Sequence, residues 1–420
     1  MKGLTTTARL LAGERRARLF FLALTQSSLG TGAAYVALLI IAYERYRSAW
    51  AISAVLLVEL LPSMLLGPVL GAAADRWSRR SCLVIADLLR AGAFGMIVLV
   101  PGIELTIFFA FVGGLGTALF KPAALAALPS LVARENRSAA TSLYGAIVDL
   151  GFTAGPAVAA VGLLFGGAEV VLLVNASTFL ISAGLLWRLA FGTRVVAERS
   201  SSEAGLWREA REGVSAVMAM SGIRLVIAGS TGALLCAGLF NVAELPFATE
   251  VLNAGDAGYS VLVAAFGVGF VGGSLSGAGG GSAQALKRRY VSGIVVMAVG
   301  FIACGLSGTV PVALVTFALA GFGNGLLLVH ERLLIQETVA DGLQGRVFAI
   351  SDTLVNWGFA VAFLGAGAVL SAVGEREVIV AAGAFALLVG LVTAIALRSQ
   401  WRADADPDRM RLGRSAHAAR

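Results

Sequence analysis

Apolar stretches of nineteen residues or more recur along the whole chain, separated by short polar segments. They fall at 19–43, 49–74, 80–101, 103–128, 139–166, 168–191, 222–246, 258–280, 290–308, 311–335, 346–373 and 377–398. Each is long enough to cross a hydrocarbon core of roughly 30 Å, which takes about 20 helical residues. The runs do not alternate with a period of two, so they satisfy their backbone groups as helices and not as barrel strands. The pattern therefore predicts an all-α, polytopic membrane protein with about twelve transmembrane helices. The eighth segment has the least defined end, because Gly272, Gly273, Gly277, Gly279, Gly280 and Gly281 interrupt its hydrophobicity.

Composition sharpens this picture. Only 14% of the 420 residues are charged, against about a quarter in soluble domains. Too few polar residues remain to coat a water-facing surface. The arginines and lysines then orient the helices. With the N terminus in the cytoplasm, twenty-seven of the thirty-two fall on the cytoplasmic side and only Arg45, Arg47 and Arg376 outside, while Arg90 and Lys121 lie within spans. That asymmetry is the positive-inside pattern. The net charge of +7 thus faces anionic lipid head groups, and no nucleic-acid partner need be invoked. Cys82, Cys236 and Cys304 lie far apart in apolar runs, which argues against a disulfide framework or a metal site. The basic start from Met1 to Arg18 leads into a full-length span, unlike a cleavable signal peptide.

The longest polar stretch follows the sixth span. In it Leu206, Ala210 and Val214 share one helical face opposite charged residues, as in a surface amphipathic helix. The predicted organisation is a six-helix bundle over 1–191, a cytoplasmic linker over 192–221, a second bundle over 222–398 and a cytoplasmic tail over 399–420. The linker reads equally as a plain connector. Two six-helix halves of this kind hold a substrate site between them near the midplane.

The segment between spans two and three reads Gly71-Ala-Ala-Ala-Asp75-Arg76-Trp-Ser-Arg79-Arg80. It resembles the signature G-x-x-x-D-R-x-[GS]-R-[RK] of the major facilitator superfamily at that loop. The resemblance implies a gating loop: Gly71 permits close helix approach, Asp75 caps a helix of the other half, and Arg76, Arg79 and Arg80 anchor and pair. After span eight the matching region keeps only Lys287-Arg288-Arg289, so a latch is expected from the first half alone. Span five carries Gly151-Phe-Thr-Ala-Gly155-Pro156, similar to an element associated with exporting members. Its small residues permit close packing and Pro156 a kink, so packing and direction-setting roles both stand. The stretches 111–132, Gly321-Phe-Gly-Asn324-Gly and Gly345-Arg346-Val-Phe-Ala are similar to the transmembrane secretion effector branch, with enterobactin-exporter-like and macrolide-efflux-like members.

Ionisable residues within spans cost about 2.5–3.5 kcal/mol each on insertion scales, which makes each a functional candidate. Asp87 and Arg90, three apart, can pair on one helical face. Asp149 could answer Arg90 or serve a gate. Glu59, near mid-depth in span two, has no basic neighbour within a turn. Glu244 sits toward the outer end of span seven, beside Asn241 and Pro246. Glu59 and Glu244 are the stronger proton-carrier candidates. The competing readings are a neutral acid bonded to a neighbouring helix for Glu59 and a water-exposed rim carboxylate for Glu244. Gln26 and Tyr35, on the polar stripe of span one, are candidate cavity residues with Asn241 and Asn324. His330 reads as part of an interfacial cluster with Glu331 and Arg332, and Lys121 as snorkelling to the interface.

No Walker loop, dinucleotide fingerprint, zinc-protease motif or nucleophile elbow stands in a proper context, so no enzyme activity and no cofactor is expected. The reading is a secondary exporter of a small amphipathic molecule (a drug, a macrolide-like compound or a siderophore) by proton antiport. It would reside as a monomer in a bacterial inner membrane, both termini cytoplasmic. Uptake by the same fold, a non-transporting sensor and a lipid-acting membrane enzyme are the alternatives.

Overall fold

The computed structural model describes residues 14–189, 211, 213–279 and 282–404, and every regular element among them is helical. The first four helices are α1 (Arg15–Tyr46), α2 (Ala49–Arg76), α3 (Arg79–Leu99) and α4 (Ile103–Leu131). The next helical run, Arg137–Trp187, is 51 residues long. At about 1.5 Å per residue it is far too long for one crossing. It breaks at Gly166–Gly167, where Gly167 has φ 76°, a left-handed conformation that glycine adopts at no steric cost. The run is therefore two spans, α5 (137–165) and α6 (168–187). The remainder are α7 (Ser221–Pro246), α8 (Gly255–Leu275), α9 (Ala283–Gly305), α10 (Val310–Thr338), α11 (Asp341–Val373) and α12 (Glu375–Asp404). Among the described residues eleven helices are long and apolar enough to cross a membrane, and the broken one is long enough to cross twice. Twelve crossings result, as the hydrophobic pattern predicts.

Some boundaries differ from the sequence expectation. α9 begins at Ala283, seven residues earlier, with the Ser282 hydroxyl accepting the Ala285 N–H at 3.3 Å. Lys287, Arg288 and Arg289 thus sit on helical turns. α11 likewise begins at Asp341, and α8 ends at Leu275. Hydropathy registers only the lipid-crossing part of a helix, whereas polar turns extend α9 and α11 beyond it; α8 stops short because the chain tightens into a 3-10 turn over Ser276–Gly279. At Pro156 the φ/ψ angles stay helical; the break in this run is at Gly166–Gly167.

Helix packing repeats with a shift of six. In the first half α1 packs on α5 and α6, α2 on α4, and α3 on α4 and α6. In the second, α7 packs on α11 and α12, α8 on α10, and α9 on α10 and α12. The contacts between halves, α2 with α11 and α5 with α8, exchange under the same shift. The molecule is two pseudo-symmetric six-helix bundles. Small residues bring the backbones together. A Cβ on Gly32 would lie 2.0 Å from the Gly151 carbonyl oxygen, and one on Gly155 would lie 2.5 Å from Gly32.

Helices α1 and α7 start on the face that carries Arg15, Arg18, Arg76, Arg79, Arg80, Arg134 and Arg137, called here the basic face. On the opposite face one apolar core is continuous between the bundles, joining Ala33–Tyr43 of α1 and Ala51–Leu56 of α2 to Phe240, Phe247 and Leu370. Toward the basic face the cores separate. One holds Phe20, Phe21, Leu83, Leu128 and Leu186 of the first half, another Val217, Ile223, Ile335 and Val347 of the second. Across the closed side a Cβ on Gly367 of α11 would touch Trp50 of α2 at 2.9 Å. On the basic side Gly67, Gly71, Gly145 and Gly345 face open space, with no described neighbour within 4 Å of a Cβ. The structure is closed at the opposite face and open at the basic one.

Candidate functional site

Glu244 lies one turn from the end of α7, where Pro246 leads into a wide turn over Phe247–Val251. There Leu252 N–H reaches the Phe247 carbonyl at 3.0 Å and Ala254 N–H the Ala248 carbonyl at 2.9 Å. Such π-type turns recur at functional positions. This extension places Glu244 below the surface, only 5% exposed, and the Tyr259 hydroxyl of α8 donates to its Oε1 at 2.8 Å. The water-exposed rim reading of Glu244 is thereby corrected: five more helical residues and the Tyr259 ring separate it from solvent.

Glu59 stands opposite, on α2 of the first half, half-buried. α4 comes close here because Gly114 has no side chain; a Cβ there would lie 2.3 Å from the Glu59 carbonyl oxygen. Tyr35 of α1 lies within electrostatic range of both Glu59 and Glu244, and Tyr259 within range of Tyr35. Two carboxyl groups and two phenols, one of each from each bundle, therefore form a cluster across the interface. Among the described residues neither carboxyl has an ion-pair partner. A buried carboxylate without a counter-charge is costly, so such a site suits binding of a proton or a cationic group.

The other predicted residues fall elsewhere. Asp87 and Arg90 pair as the spacing suggests, deep in the first bundle. The guanidinium also stacks on Phe120 at 4.3 Å and Phe179 at 4.2 Å. Asp87 thus already neutralises Arg90. Asp149 does not join it; it is exposed on the open side, in electrostatic range of Arg332. Gln26 donates its amide to the Thr178 carbonyl of α6 at 2.8 Å and to Ala23 at 3.1 Å. That commits it to packing. Asn241 is half-buried on α7, and Asn324 keeps a buried Oδ1 with no described partner.

In the loop motif, Ser78 caps α3 and Arg80 donates to the Trp187 carbonyl at 3.3 Å while lying over its ring. That contact stays within the first bundle. Arg76 is exposed, Arg79 half-exposed, and the Asp75 side chain lies outside the described residues. Gly151 and Gly155 pack against α1, and Pro156 is buried. Lys121 is exposed. His330 is fully buried, its Nδ1 2.8 Å from the Leu326 carbonyl oxygen. The interfacial reading of His330 is corrected, since α10 continues two turns beyond it to Thr338. The amphipathic segment 203–214 lies almost wholly outside the described residues; its end, at Gly213, meets Ile350 and Arg346 of α11.

Sequence reasoning missed Tyr259, and it missed a buried network of the second bundle. There Glu331 accepts from Ser351, and the Tyr290 hydroxyl bonds Ser230 at 3.1 Å and the Val226 carbonyl at 2.6 Å. The available signal was the scarcity of tyrosine: six in the chain, two of them in α8 and α9.

A family model for the major facilitator superfamily matches residues 19–290. The chain belongs to the major facilitator superfamily. Among relatives of this superfamily member, a Bacillus subtilis protein named as a bacilysin exporter, BacE, is 26% identical over 76% of this chain and 79% of its own. The multidrug efflux pump Tap of Mycolicibacterium fortuitum is 26% identical over 89% and 93%. The fold is shared with the nucleoside transporter NupG at TM-score 0.75, 13% identity, and 91% and 99% coverage. A bacterial homologue of the lysosomal transporter Spinster gives TM-score 0.73, 14% identity, and 94% and 99% coverage.

Proposed function

We propose that this chain is a secondary exporter of a small amphipathic molecule, a drug, macrolide-like compound or siderophore, driven by proton antiport. The observation that carries this reading is the cluster of Glu59, Tyr35, Glu244 and Tyr259 between the bundles. Among the described residues its carboxyl groups have no counter-charge, so each holds a proton or a cationic partner, and rocking the bundles carries the cluster from one face to the other. The names of BacE and Tap support export over uptake. The excess of arginine and lysine on the basic face supports a cytoplasmic orientation for it, with both termini on the cytoplasmic side of a bacterial inner membrane. The protein works as a monomer, each chain holding its own cavity.

The test is loss of a fluorescent amphipathic dye from cells expressing the chain, with Glu59→Gln, Glu244→Gln and Asp75→Asn beside it. Loss that a protonophore abolishes and the two glutamate variants cripple supports antiport through the cluster. Loss that persists without a gradient overturns the coupling mechanism.

A further inference from the structure

At the closed face α1 meets the wide turn that follows α7. The Tyr43 hydroxyl of α1 donates to Oε1 of Glu250 in that turn. Tyr43 belongs to the first bundle and Glu250 to the second. Among the described residues no other hydrogen bond joins the bundles on this face. The remaining contacts across it are apolar: the core shared by α1, Phe240, Phe247 and Leu370, and Trp50 against Gly367. Apolar burial is non-directional, so it does not by itself fix one register of the two bundles. A hydrogen bond has a defined length and angle, and does.

Each partner is tied to its own bundle. Close to Tyr43, Arg45 donates to the Ile97 and Val100 carbonyls around the end of α3, at 2.8 and 2.9 Å, and lies 3.6 Å from Glu169 of α6. The wide turn is fixed to the second bundle. Phe247 and Ala248 are fully buried, and the Thr249 hydroxyl donates to the Leu245 carbonyl at 3.0 Å. Arg376 of α12 lies 5.9 Å from the Phe247 ring centre while donating to the Gly305 carbonyl of α9 at 2.8 Å. Neither partner can follow the other when the bundles part, so the bond breaks on opening. Tyr43 is 8% exposed and Glu250 is exposed, which places the bond at the mouth of the seam. Water entering there re-solvates both groups, and breaking the bond costs only the modest net worth of a hydrogen bond. That suits a contact made and broken repeatedly, unlike the buried Asp87–Arg90 pair.

We infer that Tyr43 and Glu250 form the clasp of the closed face, a state-specific hydrogen bond that favours the form open at the basic face. A contact present in one of two states biases the equilibrium by its own free energy. Glu250 lies on the continuation of the helix that carries Glu244, so the clasp holds the same element as the central carboxyl. The inference rests on the proposed rocking of the bundles but not on the substrate, the driving ion or Glu59 and Glu244.

The test reads the opening directly. In the full-length chain Cys82, Cys236 and Cys304 are replaced by alanine. Spin labels are placed at Leu99→Cys and Leu306→Cys, exposed ends of α3 and α9 on this face. Distances measured in lipid nanodiscs give its open-to-closed ratio. Tyr43→Phe keeps the ring in the core and removes only the hydroxyl, whereas Glu250→Ala removes the acceptor. Each should raise the ratio about tenfold. The double variant should raise it no further, since a shared contact is lost only once. Glu250→Gln retains an acceptor oxygen and should stay closer to the parent than to Glu250→Ala. Single variants at the parent ratio, effects that multiply in full in the double variant, or a Glu250→Gln that opens as far as Glu250→Ala overturn the clasp. Dye loss measured beside it separates the two readings. Protonophore-sensitive loss with a ratio that no variant moves removes the clasp alone. A ratio that responds as expected in a chain whose dye loss ignores the gradient removes the antiport reading and leaves the clasp in place.

Discussion

Arg90 shows how a cation is kept inside an apolar bundle. Asp87 neutralises it, the rings of Phe120 and Phe179 cover its faces, and Gly116 leaves room for its stem, since a Cβ there would lie 2.7 Å from the Arg90 Cγ. Removing one partner of a buried pair costs about 3–5 kcal/mol, because the other charge is left uncompensated. Arg90→Ala should therefore sharply lower the folded yield and melting temperature in detergent, whereas Asp87→Leu with Arg90→Leu should recover much of both. Equal losses in the two variants would show that the pair is not what holds this region. Tyr259→Phe is a gentler change. It deletes the 2.8 Å bond to Glu244, leaving an acceptor whose cost is about 1–3 kcal/mol. The protein should fold, with proton-driven dye efflux reduced and its pH profile displaced; an unchanged profile would separate Tyr259 from coupling.

At the level of elements, glycine decides how close two helices come. On the α1–α5 seam a Cβ at Gly155 would lie 2.5 Å from the backbone of Gly32, so Gly155→Val should force the helices apart and cost folded protein. Gly92 and Gly184 meet nothing within 4 Å. Alanine there should be neutral or stabilising, since glycine costs a helix interior about 0.5–1 kcal/mol. Thermal unfolding of the three variants in one detergent checks the contrast. Gly71 differs from both. It faces open space in this state, so Gly71→Leu should leave the fold intact and still block transport by obstructing closure of the basic face. Wild-type efflux from that variant would remove Gly71 from the gate.

For the whole molecule, the closed face is a seam that can be locked. Trp50 of α2 and Gly367 of α11 are in direct contact across it, with a Cβ on Gly367 lying 3.1 Å from the Trp50 Cα. That proximity suits a disulfide, whose Cβ atoms are about 3.8 Å apart. Trp50→Cys with Gly367→Cys, in a chain freed of its other cysteines, should cross-link under oxidation and stop efflux. Reductant should restore it. Efflux at full rate from a fully cross-linked sample would show that this face need not open.

The amino-acid sequence by itself determined the number of crossings, because a 30 Å slab of hydrocarbon requires about 20 apolar residues each time and the chain supplies twelve such runs. It also determined the Asp87–Arg90 pair, since residues three apart on a helix are neighbours whatever the fold around them. The starts of α9 and α11 escaped it, because polar turns, capped by Ser282 in α9, extend a helix past the stretch that hydropathy can register. The burial of Glu244 escaped it too, for that depends on Tyr259 and on the wide turn at Phe247–Val251. Only the tertiary structure decided that Arg90 is neutralised without Asp149, that Gln26 spends its amide on Thr178, and that Glu59 and Glu244 flank Tyr35. Those relations join residues as far as 209 positions apart, and they arise from how twelve helices pack, not from any local pattern.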